Sequence, residues 1–171
     1  MKLRIKIDPE RDPPDPFLPN AVEKLESVFG EELPLLCRCH KLENLGKNAE
    51  AEISVSFLDQ ADMRDVNKQY RGLDEPTDVL TFPLWEEEEC FAPHVSFELF
   101  PLGDIVICPE EAEREHAPMT RPEALCLVLA HGFLHLLGWD HDTPEKEEIM
   151  WERQEFLKSR LLGAVKRGLL T

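Results

Sequence analysis

Residues 123–138 read EALCLVLAHGFLHLLG, and their pattern decides how the rest of the chain packs. Thr120 stands three residues before Glu123, the spacing of a capping box, with Pro122 inside the first turn. Gly138 marks the stop, because glycine enters the left-handed turn that ends a helix without a Cβ penalty. The helix between these signals is apolar almost all round. A surface helix needs a polar face, so this one belongs in the middle of a domain. Two residues break the apolar pattern, His131 and His135.

The flanking sequence supplies the partners for such a helix. Met1 to Asp8, MKLRIKID, alternates Leu3, Ile5 and Ile7 with Lys2, Arg4 and Lys6, the period of a half-buried strand. Pro9, Pro13, Pro14, Pro16 and Pro19 then imply an extended connector. Asn20 is placed to cap a helix carrying Val22, Leu25, Val28 and Phe29. Pro34 should end it or start a second helix running toward Gly46. Ala51 to Leu58 reads as a strand with Ile53, Val55 and Phe57 on one face. Asp59 and Asp62 open a helix that Gly72 closes. Asp78 to Phe82 is a short strand, Cys90 to Leu102 a hairpin or loop insertion, and Asp104 to Cys108 a fourth strand. Glu110 to His116 forms a short helix, and Asp142 with Glu145 starts a last helix reaching about Leu162. Strands and helices mix along the chain. The fold class is therefore α+β: one domain over residues 1–171, a small mixed four-stranded sheet packed on helices, with the central apolar helix carrying the histidine motif.

The 171 residues carry 19 Lys plus Arg against 35 Asp plus Glu, a net charge of −16. That field repels phosphate, which excludes a protein that coats nucleic acid by bulk charge and leaves only a local basic groove. The longest all-apolar run, Ala124 to Ala130, falls far short of the roughly 20 residues a membrane span needs. The first residues lack an apolar secretory core. Five scattered cysteines, Cys37, Cys39, Cys90, Cys108 and Cys126, read as reduced residues of a cytoplasmic protein. His40, His94 and His116 are isolated, with polar neighbours, and read as surface residues.

HGFLHLLGWDH, His131 to His141, holds the chemistry. His131 and His135 share one helix face with Cβ atoms roughly 5–6 Å apart, close enough to reach one ion. Gly138 lets the chain reverse so that His141 returns to the same point. Three neutral imidazoles favour zinc, although nickel, copper and iron also accept nitrogen. Three protein ligands leave a coordination position open, the mark of a catalytic site. Because imidazole must be neutral to bind, affinity should fall as pH drops through about 6.5. The spacing H-x-x-x-H-x-x-G-x-x-H also fits metzincin proteases. Those enzymes carry a glutamate general base after the first histidine, whereas this chain has Gly132, which neither takes nor gives a proton.

HGFLHLLGWDH resembles the H-G-x-L-H-L-x-G-x-D-H signature of the YbeY family, bacterial single-strand-specific endoribonucleases of ribosomal RNA maturation. NKQYRGLDEPTDVLTFP, Asn67 to Pro83, resembles the same family's N-x-x-Y-R-x-x-D-x-P-T-D-V-L-S-F-P stretch, with Thr81 where serine is commoner. LGDIVIC, Leu102 to Cys108, resembles its L-G-D-I strand. The resemblance implies one zinc ion on His131, His135 and His141, a functional arginine at Arg71, and catalysis centred on Arg71 and His131. It implies single-stranded ribosomal RNA as substrate, with the small ribosomal subunit and assembly factors as partners, and neither DNA nor membrane.

An RNA substrate needs local positive charge in so acidic a chain. Lys2, Arg4 and Lys6 form one stripe; Arg64, Lys68 and Arg71 form another at helical spacing and are the candidate substrate-binding residues. Either stripe also fits a solvated outer face. Asp74 and Asp78 read as turn and capping residues. Asp104 and Asp140 fit two readings equally, orienting the ligand histidines or capping. Two other readings stand beside the nuclease: a metzincin-like metalloprotease, and a non-catalytic zinc-containing ribosome assembly factor.

Overall fold

The structure is a computed structural model describing residues 2–8, 17–36, 50–84, 86–87, 90–91 and 99–168. Its main sheet is built from β1 (Lys2–Ile7), β2 (Glu50–Phe57), β3 (Val79–Pro83) and β6 (Leu99–Ile107) in the order β1-β2-β6-β3. β1 and β6 both run parallel to β2, and β3 runs antiparallel to β6, so the sheet is mixed. Two short antiparallel strands, β4 (Glu86–Glu87) and β5 (Cys90–Phe91), form a separate hairpin where a hairpin or loop was expected. The helices are α1 (Phe17–Leu36), α2 (Gln60–Arg71), α3 (Pro109–Glu115), α4 (Arg121–Leu136) and α5 (Pro144–Gly168). The fold is α+β, as the sequence indicates.

The alternating residues Ala51, Ile53, Val55 and Phe57 of β2 are buried on one face, joined by Ile105 and Ile107 of β6. Leu25, Phe29 and Leu33 of α1 and the apolar shell of α4 fill the space above them. Phe29 and Phe133 meet at 4.4 Å between ring centroids, an inclined aromatic pair at the centre of the core. α5 packs outside against α1 and α4. A second, smaller cluster of Leu58, Met63, Leu80 and Cys108 joins α2 to the sheet. Among the described residues no helix is long and apolar enough to cross a membrane. Cys108 and Cys126 are free and buried, and burial pushes their thiols up to about 11 and about 12.

Several boundaries differ from the sequence reading, each for a physical reason. α1 starts at Phe17 rather than at an Asn20 cap, so Pro19 lies in its first turn, where the missing N–H goes unneeded. Pro34 does not stop α1 at its own position; the helix includes it and reaches Leu36, with Leu33 and Leu36 both buried. The proposed second helix toward Gly46, most of the proline-rich connector, His40 and His94 lie outside the described residues. β6 begins at Leu99, five residues before the expected Asp104. The reason is a bulge: Glu52 pairs with Pro101 but Ile53 pairs with Gly103. Gly103 has φ +143°, and a Cβ there would lie 2.2 Å from the Phe82 carbonyl oxygen, so proline and glycine interrupt the alternation by which a strand is recognised. α5 runs to Gly168, not Leu162, because Leu157, Leu161, Ala164 and Val165 continue its buried stripe.

α4 lies against β3 and β6 with little clearance. A Cβ on Gly132 would come within 3.0 Å of Ile105 Cγ2 and 3.1 Å of Thr81 Cγ2. A glutamate there must displace the sheet or bury its charge. Gly132→Glu should lower unfolding stability by about 3 kcal/mol or more, measured by urea titration, and should show no casein hydrolysis. A stable variant that digests casein would place the scaffold among the proteases.

Candidate metal centre

α4 carries two of the three histidines; the third is on the turn beyond it. The Glu123 carboxylate accepts from the Thr120 backbone N–H at 2.9 Å and from its hydroxyl at 2.7 Å, fixing the helix start. At the far end Gly138 has φ +79°. Its N–H donates to the His135 carbonyl at 3.0 Å, and the Trp139 N–H donates to the Leu134 carbonyl at 3.1 Å, the bond pattern of a Schellman stop. Trp139 is buried, and its indole N–H donates to the Leu36 carbonyl at the end of α1 at 2.8 Å. The His141 N–H donates to Asp140 Oδ1 at 2.8 Å. The turn is thus tied down on both sides, and the central helix does not carry the whole motif.

His131, His135 and His141 each offer a ligand atom within 4.8 Å of the others. The Nε2 atoms of His131 and His135 are 3.0 Å apart. His131 Nδ1 donates to Gln154 Oε1 at 2.7 Å, which places its proton on Nδ1 and leaves the Nε2 lone pair for an ion. Burial holds the His131 ring below the ordinary histidine range, and burial followed by the proximity of His131 and His141 pushes His135 down to about 4. Neutral, clustered imidazoles with one tautomer fixed from outside suit a divalent metal, and the trio is capable of coordinating one. Gln154→Ala should weaken metal affinity roughly 10–100-fold, the scale for losing an outer hydrogen bond to a ligand, read by chelator competition.

These shifts also set a pH dependence. Unfolded His135 takes a proton near 6.5, folded His135 only near 4. Between those values the unfolded chain binds more protons, so the stability of metal-free protein should fall as pH drops from 6.5 toward 4. Proton competition for metal at His135 is accordingly moved below the 6.5 expected of a free imidazole. Thermal melts of metal-free protein at pH 7 and pH 5 test this. His135→Ala should flatten the difference, and equal melting of the unmutated protein at both pH values would contradict it.

The two basic stripes are placed quite differently. Lys2 and Arg4 pair with Glu50 at 3.4 and 2.7 Å on β1, the sheet edge opposite β3, so they do not border the histidines. Asp59 caps α2 by accepting the Asp62 N–H at 2.8 Å, and Gly72 closes it. Arg64 and Lys68 on that helix both bind Asp74, at 2.6 and 2.8 Å, which holds the Asp74 carboxyl down at about 2. Arg71 differs: no carboxylate among the described residues pairs with it, and it lines a cavity of about 280 Å³ with His131, His135, His141, Asp140 and Thr81. Buried Asn67 donates to the Glu75 carbonyl at 2.8 Å and so holds the loop that follows Arg71.

Two expectations need correction. Asp104 lines a groove with Tyr70, Phe82 and Val106, away from the histidines; the residue that orients His131 is Gln154. His116 is not an isolated surface residue. Its Nε2 donates to Asp78 Oδ2 at 2.9 Å, and the pair lines a cavity shared with His131, His141 and Arg71. Neither Gln154 nor His116 belongs to a recognisable spacing, so only the fold brings them in.

The family model described as Endoribonuclease YbeY matches residues 23–162. The chain belongs to the YbeY endoribonuclease family. It is 39% identical over 155 residues to the Endoribonuclease YbeY of Thermoanaerobacter sp. (strain X514), covering 85% of this chain and 96% of that protein. The Geobacillus thermodenitrificans YbeY is 43% identical over 146 residues, covering 81% and 92%. The solution structure of TM1509 from Thermotoga maritima superposes with a TM-score of 0.58 at 29% identity, covering 94% of this chain and 89% of that one. Metal-dependent endoribonuclease activity in ribosomal RNA processing follows from membership of the YbeY family.

Proposed function

We propose that His131, His135 and His141 hold one zinc ion per chain and that residues 1–171 act as one domain cleaving single-stranded ribosomal RNA in the cytoplasm. The supporting observation is that the histidine trio lines one cavity with Arg71, whose guanidinium has no carboxylate partner among the described residues. Zinc bound there supplies Lewis acidity toward a phosphoryl oxygen. Gln154 keeps His131 in the tautomer that leaves Nε2 available. Arg71 presents a planar fork of N–H donors that fits phosphate and strengthens as charge builds on it. A single cation beside an ion also reconciles an RNA substrate with a net charge of −16. Lys68 and Arg64 lie about one and two turns away on the same helix; with Asp74 between them they guide the RNA strand more weakly than Arg71 does.

The small ribosomal subunit and its assembly factors are the proposed partners. Gly132 opposes the protease reading, since the position that would carry the general base is filled by Ile105 and Thr81. A panel of single-stranded RNA, duplex RNA and casein, each with and without chelator, separates the alternatives. Chelator-sensitive cleavage of single-stranded RNA alone is expected; binding of ribosomal RNA with no cleavage would favour the assembly factor.

A further inference from the structure

His131 and His141 line two cavities. One is the cavity of Arg71 and Asp140 already described. The other, of about 430 Å³, shares Arg71, His131 and His141 with it and continues beneath α5. We propose that this second cavity is a pocket for one unpaired nucleobase next to the scissile phosphate, with Trp151 as its stacking wall. The inference rests on the ribonuclease reading of the site and adds how the substrate is held.

Trp151 is 54% exposed although it lines the cavity. Its place follows from helix geometry. Trp151 and Gln154 are three apart on α5, hence neighbours on one face, and Gln154 is bonded to the ligand histidine His131. The indole therefore stands one turn from the residue that orients the metal centre. Leu127 and Val128 of α4 extend the apolar wall. The lining also carries polar groups, among them Asp78, His116 and Glu155. Asp78 accepts from the Val79 N–H at 2.7 Å and from His116 Nε2, so His116 is held with Nδ1 as the ring atom left to meet a ligand. An aromatic ring, fixed polar groups and a guanidinium in one lining match a base attached to a phosphate. The volume lies in the range of small-ligand pockets.

A base in a duplex is stacked and paired and enters a pocket of this kind only at the cost of flipping out. Selectivity for single strands then arises beside the metal, from the need to seat one free base, rather than from the shape of the whole protein.

The test uses the full-length, zinc-loaded protein and a short single-stranded RNA with one cut site. Trp151→Ala should lower kcat/KM about 10- to 100-fold, the value of one base–aromatic stack, chiefly through KM. Zinc content and melting temperature should stay unchanged, since the side chain is more than half exposed. Trp151→Phe, which keeps a ring, should recover most of the loss. The same RNA made abasic at each position flanking the cut gives the sharper readout. At one position the unmutated protein should lose as much as Trp151→Ala does, and Trp151→Ala should lose nothing further there. Equal kcat/KM for the unmutated and Trp151→Ala proteins, or equal abasic penalties at every position, would overturn the pocket. An unmutated protein that cuts no single-stranded RNA would instead remove the ribonuclease reading beneath it.

Discussion

Arg71→Ala is expected to slow cleavage of single-stranded RNA roughly 10²–10³-fold while keeping normal zinc content and melting temperature. That is the scale for losing one preorganised donor aimed at developing charge. Arg71 is exposed and pairs with no carboxylate among the described residues, so its removal breaks no ion pair that the fold depends on. Arg71→Lys should restore little, because a point charge does not replace a two-pronged fork. If the loss appeared only in KM and vanished at saturating RNA, Arg71 would bind substrate without stabilising the transition state. Unchanged turnover and affinity would remove it from the site. Arg64→Ala makes a useful contrast: its partner is the solvent-exposed Asp74, and a much smaller effect is expected.

His135→Ala should have the larger consequence. It removes one of three ligands and leaves two imidazoles, so zinc occupancy should fall well below one equivalent. Cleavage should fall by more than the roughly 10²–10³-fold expected of Arg71→Ala, since losing a ligand exceeds losing an outer hydrogen bond to one. The ring is substantially buried beside His131; alanine removes the partner of His131 Nε2, but His131 lines the cavity, where water takes that place. Folding should therefore survive, and far-ultraviolet circular dichroism compared with metal analysis separates the two effects. A variant holding a full equivalent of zinc would mean that the ion sits elsewhere.

The elements that bury a regular face were legible in the sequence. Alternation exposed β2, the capping box and the Gly138 stop bounded α4, and Asp59 and Gly72 bounded α2. Elements that lean on a tertiary partner were not. β6 hides behind Pro101 and the Gly103 bulge, which make sense only once Phe82 of β3 lies alongside. Pro34 looked like a terminator because local propensity omits the buried Leu33 and Leu36 on either side of it. The candidate site divides in the same way. The three histidines lie within eleven residues, so their spacing announced them. Gln154, Asp78 and His116 reach the site from α5, the start of β3 and the end of α3, and no spacing links them. The stripe of Arg64, Lys68 and Arg71 was visible, but not that Asp74 engages the first two and leaves the third facing the cavity.

The central claim is that one zinc ion on these histidines makes the protein a ribonuclease. Metal-free protein, titrated with zinc while cleavage of a single-stranded RNA is followed, tests it most directly. Activity should rise from background in proportion to bound zinc and level off at one equivalent per chain. Full activity without metal, or activity that stays at background when one equivalent is bound, would contradict it.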